Sequence, residues 1–76
     1  MNRSRRDILK RAISALDTAS SYVNSALDQE QDCLDNLPEN LESSERYEKM
    51  ETAIEKLEEA IENIDGAKIC IEEASE

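Results

Sequence analysis

Apolar side chains recur at intervals of seven along this chain, on both sides of a single interruption. Residues 4–36 contain neither Gly nor Pro, and residues 44–75 contain one Gly. Between them lies Leu37-Pro38-Glu39-Asn40-Leu41-Glu42-Ser43, the one plausible break. In the first segment Leu9, Leu16 and Val23 form a row of large residues beside a row of small ones, Ala12, Ala19, Ala26 and Cys33. In the second, Met50, Leu57, Ile64 and Ile71 run beside Ala53, Ala60, Ala67 and Ala74. A period of seven is the signature of helices packed along a seam. The pattern therefore predicts one all-α domain over residues 1–76, with helices over 4–36 and 44–75 and a turn over 37–43. Pro38 lacks a backbone donor and biases Leu37 away from helix. Ser4 and Ser43 are the expected N-caps, and Asn36 the expected end of the first helix.

A short connection makes the two helices antiparallel neighbours. If the hairpin centres between Glu39 and Asn40, Ala12 faces Ala67, Ala19 faces Ala60, and Ala26 faces Ala53. Facing alanines let helix axes approach at the short end of the ~8–10 Å range. A register shifted by seven, centred near Ser43, pairs the alanine rows equally well. Beside these rows more apolar positions remain than two helices can cover: Ile8, Ile13, Ala15, Tyr22, Leu27 and Leu34, then Tyr47, Ile54 and Ile61. Contiguous apolar surface of this kind calls for a partner. A second copy would supply it, giving a homodimeric four-helix bundle. The candidate partner-binding face is Ile13, Tyr22, Leu27, Leu34, Tyr47, Ile54 and Ile61.

Chain length reinforces that expectation. A 76-residue chain buries only about 60% of its unfolded surface and is marginal alone. One Gly and one Pro are too few for the turns of an all-β domain. Charge is high and uneven. Arg3, Arg5, Arg6, Lys10 and Arg11 stand against Asp7 in residues 1–16, while the whole chain carries −10. The acidic body disfavours direct binding to a phosphate backbone. No apolar run resembles a signal peptide or approaches the ~20 residues of a membrane span, so no membrane partner and a cytoplasmic location are expected.

Candidate chemistry is sparse. Glu48, Glu51, Glu55, Glu58, Glu62 and Asp65 form an acidic stripe on the predicted second helix. It reads as a solubilising helix face, or as a carboxylate row imitating nucleic acid before a basic groove. The basic start would lie beside Glu72, Glu73 and Glu76 and pair with them. Asn63-x-Asp65-Gly66 with Glu72 matches the latter half of a calcium loop, but Ile61 stands where an acid is required and Lys68 sits among the ligands, so no metal is expected. Cys33 and Cys70 lie too far apart along a hairpin to bond within one chain, and without His they cannot complete a zinc site. Neither a base–nucleophile pair nor a phosphate loop is present, so no enzyme activity and no cofactor are expected.

The stretch from Asp28 to Leu41, with Asp35-Asn36-Leu37-Pro38-Glu39 at its centre, followed by Ser44-Glu45-Arg46-Tyr47-Glu48 and Met50-Glu51, resembles a segment of small acidic hairpin proteins of phages, prophages and mobile elements of Gram-positive, often gut, bacteria. The likeness covers about residues 28–60. Cys33 departs from the Ala common in that group. The resemblance implies a mobile-element context more than a function, and with no catalytic constellation in the residues the leading reading is a non-enzymatic protein-binding module of that context. The resemblance also lends weight to a second reading, an inhibitor of a bacterial defence enzyme. A third reading is a subunit that completes a bundle with a different protein.

Overall fold

The computed structural model describes residues 1–41 and 44–76. Helix α1 spans Arg3–Asp35 and helix α2 spans Glu45–Ala74, with a short 3-10 turn at Glu39–Leu41 between them. The two helices pack along their length as an antiparallel hairpin, and no strand occurs among the described residues. The molecule is a rod of 59 × 15 × 12 Å.

The caps differ from expectation by one or two residues. Asn2, not Ser4, opens α1: its side chain accepts a hydrogen bond from the Arg5 N–H at 2.9 Å. That satisfies one of the first-turn donors that no intrahelical carbonyl can reach. Ser44 opens α2 by accepting from the Tyr47 N–H at 3.2 Å. Ser43, the expected cap, lies outside the described residues. Asn36 closes α1 as its sequence position suggests. Its backbone N–H and its side-chain amide both donate to the Asp32 carbonyl.

Partial burial picks out the seam. On α1 the less exposed positions are Leu9, Ile13, Leu16, Ser20, Val23, Leu27, Glu30 and Leu34, continued just past the helix end by Leu37 and flanked by Ala12 and Ala19. On α2 they are Tyr47, Met50, Ile54, Leu57, Ile61, Ile64, Lys68 and Ile71, continued by Ser75 at the helix cap and flanked by Ala53, Ala60 and Ala67. Steps of three and four alternate in both sets, so each helix presents two seam rows to the other. Met50 and Ile54, each 8% exposed, are the only buried residues described.

The seam sets match one to one in antiparallel order when Leu16 lies level with Lys68, Val23 with Ile61, Glu30 with Ile54 and Leu37 with Tyr47. This is a slide of five residues from the register centred between Glu39 and Asn40 and falls two short of the seven-residue slide centred near Ser43, so the expected facing of the alanines does not occur: Ala19 lies level with Asp65, not with Ala60. The one cross-helix ion pair among the described residues agrees with the observed register: Lys68 Nζ lies 2.5 Å from Asp17 Oδ1. Charge gives the physical reason. In the register centred between Glu39 and Asn40, Lys68 would lie level with Arg11, placing like charges together at a seam position. In the observed one it meets a carboxylate. The shift also leaves the start of α1, through Ile8, projecting past the end of α2.

The hydrogen bond to Asp17 raises the Lys68 pKa above the usual lysine value. Partial desolvation opposes the shift, and the charges of Asp17, Asp65 and Glu72 add to it. Folded Lys68 thus holds its proton more tightly than the unfolded chain does. Its contribution to stability is complete below the ordinary lysine pKa of about 10.4 and is lost as pH rises through the raised value. Asp17→Asn should therefore melt below wild type at neutral pH, with the gap closing at strongly alkaline pH. A gap unchanged across an alkaline titration would show that the charge pair contributes nothing.

Gly66 sits inside α2 with helical backbone geometry, is exposed, and a Cβ built there meets nothing within 4 Å. No close approach explains the glycine, so it acts only as a helix-weakening residue. Gly66→Ala should stabilise the fold by about 1 kcal/mol and raise the melting midpoint by roughly 4–8 °C at fixed protein concentration. A lower midpoint would mean that this face of α2 is occupied.

Candidate interaction surface

The seam redistributes the residues expected to form the partner-binding face. Ile13, Leu27 and Leu34 on α1 and Tyr47, Ile54 and Ile61 on α2 are seam residues, half-buried or, for Ile54, buried. They hold the hairpin together and are not available as drawn. The error is one of phase: both seam rows are large, whereas the sequence pattern suggests one large and one small row. Of the expected face only Tyr22 remains outward, at 74% exposure.

What lies outside the seam is strongly two-sided. On one flank, next to the Leu9–Leu37 row and the Met50–Ile71 row of α2, run the two alanine rows. Antiparallel packing brings equivalent flanks of both helices to the same side, so the alanine rows share one surface. Ala26, Cys33 and Ala74 on it are exposed. Beside the α1 alanines, at intervals of seven, stand Met1, Ile8, Ala15 and Tyr22, all exposed. That row holds three of the four exposed large apolar residues among those described, with Ile69 the fourth. Cys70 also lies at the edge of this flank, and both cysteines are free and exposed. The periodicity that reveals the flank is visible in the sequence once the seam phase is correct.

The opposite flank is polar. Lys10, Asp17, Asn24 and Gln31 on α1 and Glu51, Glu58, Asp65 and Glu72 on α2 are all exposed. The acidic stripe lies here and on the adjoining outer row: Glu48, Glu51, Glu55, Glu58, Glu62 and Asp65 share one side of α2, fully outward. None of the six belongs to an ion pair among the described residues. The α2 lysines Lys49 and Lys56 pair instead with Glu45 at 3.3 Å and Glu59 at 3.2 Å.

The basic start does not pair as expected. Arg3, Arg5, Arg6, Lys10 and Arg11 make no ion pair with Glu72, Glu73 or Glu76, nor with any other described residue. The register accounts for this, because most of these cations lie beyond the end of α2.

An open depression on the outside of α2 is lined by Glu45, Glu48, Lys49 and Thr52 of that helix alone. Among the described residues no group of three or more Cys, Asp or Glu is placed to hold a metal ion. No described helix is long and apolar enough to cross a membrane. No family model, curated protein or solved structure matches the chain.

Proposed function

We propose that this chain is a non-enzymatic protein–protein interaction module of phage or mobile-element type, and that its first partner is a second copy of itself, completing a four-helix bundle. The observation that carries the reading is surface area. A compact 8.6 kDa monomer exposes about 4,700 Å² by the size scaling of monomeric proteins, whereas the hairpin exposes 5781 Å². The excess is of the order that a standard interface removes from each partner, roughly 800 Å². Among the described residues only Met50 and Ile54 are buried, and so small a core rarely stabilises a chain alone. The exposed apolar row of Met1, Ile8, Ala15 and Tyr22 beside the alanines supplies the surface to cover. The depression on the outside of α2 is open and lined by one helix alone, which supports a binding role over catalysis in a concave site. The mobile-element context rests on the resemblance around Asn36-Leu37-Pro38-Glu39.

Sedimentation equilibrium tests this. The purified chain should have the mass of a dimer at micromolar concentrations, and helicity should fall on dilution as monomers appear. A fully helical monomer at high concentration overturns the reading. A monomer that is largely unfolded assigns the missing helices to a different protein.

The unpaired acidic stripe favours one second reading, an inhibitor that occupies a nucleic-acid groove on a defence enzyme. Its test is charge reversal at Glu51, Glu55, Glu58 and Glu62. Inhibition of a nucleic-acid-binding target should vanish while helicity persists, and unchanged inhibition removes the idea.

A further inference from the structure

The hairpin is electrically lopsided along its axis. Residues 28–51, which form the turn end, carry nine acidic and two basic residues. Residues 1–16, at the open end, carry five basic and one acidic. Glu72, Glu73 and Glu76 offset part of that positive charge without pairing with it. Two copies side by side in the same direction would bring acidic turn ends together and basic starts together. Two copies in opposite directions would set the projecting Arg3, Arg5 and Arg6 of each beside the carboxylates at the turn end of the other. Charge complementarity of this kind fixes orientation more than it adds affinity.

The apolar flank has the symmetry such a pairing needs. The seam runs from the level of Leu9 to that of Leu37, and its midpoint is the level of Val23 and Ile61. Tyr22, 74% exposed on the apolar flank, adjoins that midpoint. Under a two-fold axis a residue near the axis meets its own copy, and aromatic anchors at interface centres carry much of the binding energy. On the assumption that the chain is a dimer, as proposed above, we propose that two hairpins dock flank to flank in antiparallel orientation, about a two-fold axis at Tyr22, with the basic start of each against the acidic turn end of the other.

Cysteine positions make the orientation measurable. Cys33 lies ten residues past Val23 toward the turn, and Cys70 nine residues past Ile61 toward the open end. In the antiparallel dimer Cys33 therefore comes level with the partner subunit's Cys70, within about 2 Å along the axis at 1.5 Å per residue. Like cysteines are then separated by roughly 30 Å along the axis. In a parallel dimer like cysteines are level and unlike ones roughly 30 Å apart. The experiment treats the full chain, at a concentration where sedimentation shows a dimer, with a bis-maleimide a little longer than one interhelical spacing of ~10 Å. Wild type should yield a covalent dimer, while Cys33→Ser and Cys70→Ser should yield nearly none. Covalent dimer from either single-cysteine chain, or none from wild type, overturns the antiparallel arrangement while leaving dimerisation intact. A monomeric mass at every concentration overturns both. Tyr22→Glu, at an exposed site of the hairpin, should weaken dimerisation at least tenfold, and an unchanged association constant removes the axis from Tyr22.

Discussion

Ile54→Ala will remove most of the cooperative unfolding transition of this protein. Among the described residues Ile54 is one of two with so little remaining exposure, at 8%, and it lies level with Glu30, whose polar head cannot close around the gap. Truncating a buried isoleucine loses the transfer free energy of the deleted atoms and adds a cavity term, together about 2–4 kcal/mol. Small scaffolds rarely hold more than about 3–5 kcal/mol in total. The variant should therefore be partly unfolded at room temperature, with a broad helical melt followed by circular dichroism at constant protein concentration. A midpoint within a few degrees of wild type would mean that the seam is not where the structure places it.

The second large effect has the opposite sign. Glu30 occupies a seam position between Val23, Leu27, Leu34 and Leu37 and is half-buried. A carboxylate there interrupts an otherwise apolar row, facing the level of Met50 and Ile54. Glu30→Leu should extend the row and add about 1–1.5 kcal/mol, somewhat less than full burial of a leucine gives because the site stays partly open. Removal of one negative charge from an acidic turn end acts in the same direction. The midpoint should rise by several degrees. A fall would show that Glu30 holds a partner that the leucine cannot replace.

Much of the architecture was legible because it depends on residues with few alternatives. Pro38, the single proline of a chain whose one glycine lies well inside the second periodic segment, leaves one place for a turn, and Asn36 one place for α1 to end. Register was harder for a physical reason. Both helices repeat every seven residues, so slides of seven residues preserve the apolar pattern. Only a residue that breaks the repeat can choose between them, and Lys68, in line with Tyr47, Ile54 and Ile61, is that residue. Asking which acid it could reach would have pointed to Asp17 and the correct register. Seam phase failed differently. Alanine rows beside large rows look like the heart of a tight interface, but the steps of three and four from Ile13 to Leu16 to Ser20 mark the inward face, and Ser20 and Glu30 obscured that row. The two N-caps were each one choice among adjacent candidates, and which side chain reaches the right N–H is not a property of composition. The location of the apolar flank followed from phase, so it could not be read until the seam was known.

Burial along the rod is graded, and this gives the molecule a direction in which to come apart. Met50 and Ile54 lie in the half nearest the turn, while at the other extremity the first turns of α1 run on without a neighbouring helix. Backbone amides in that projecting stretch have only their own helix to protect them, and Gly66 loosens α2 on the same side. Thermal opening should begin at the two chain termini and travel inward like an unfastening zip, so that hydrogen–deuterium exchange is fastest around Arg5 and Glu73 and slowest around Leu34 and Met50.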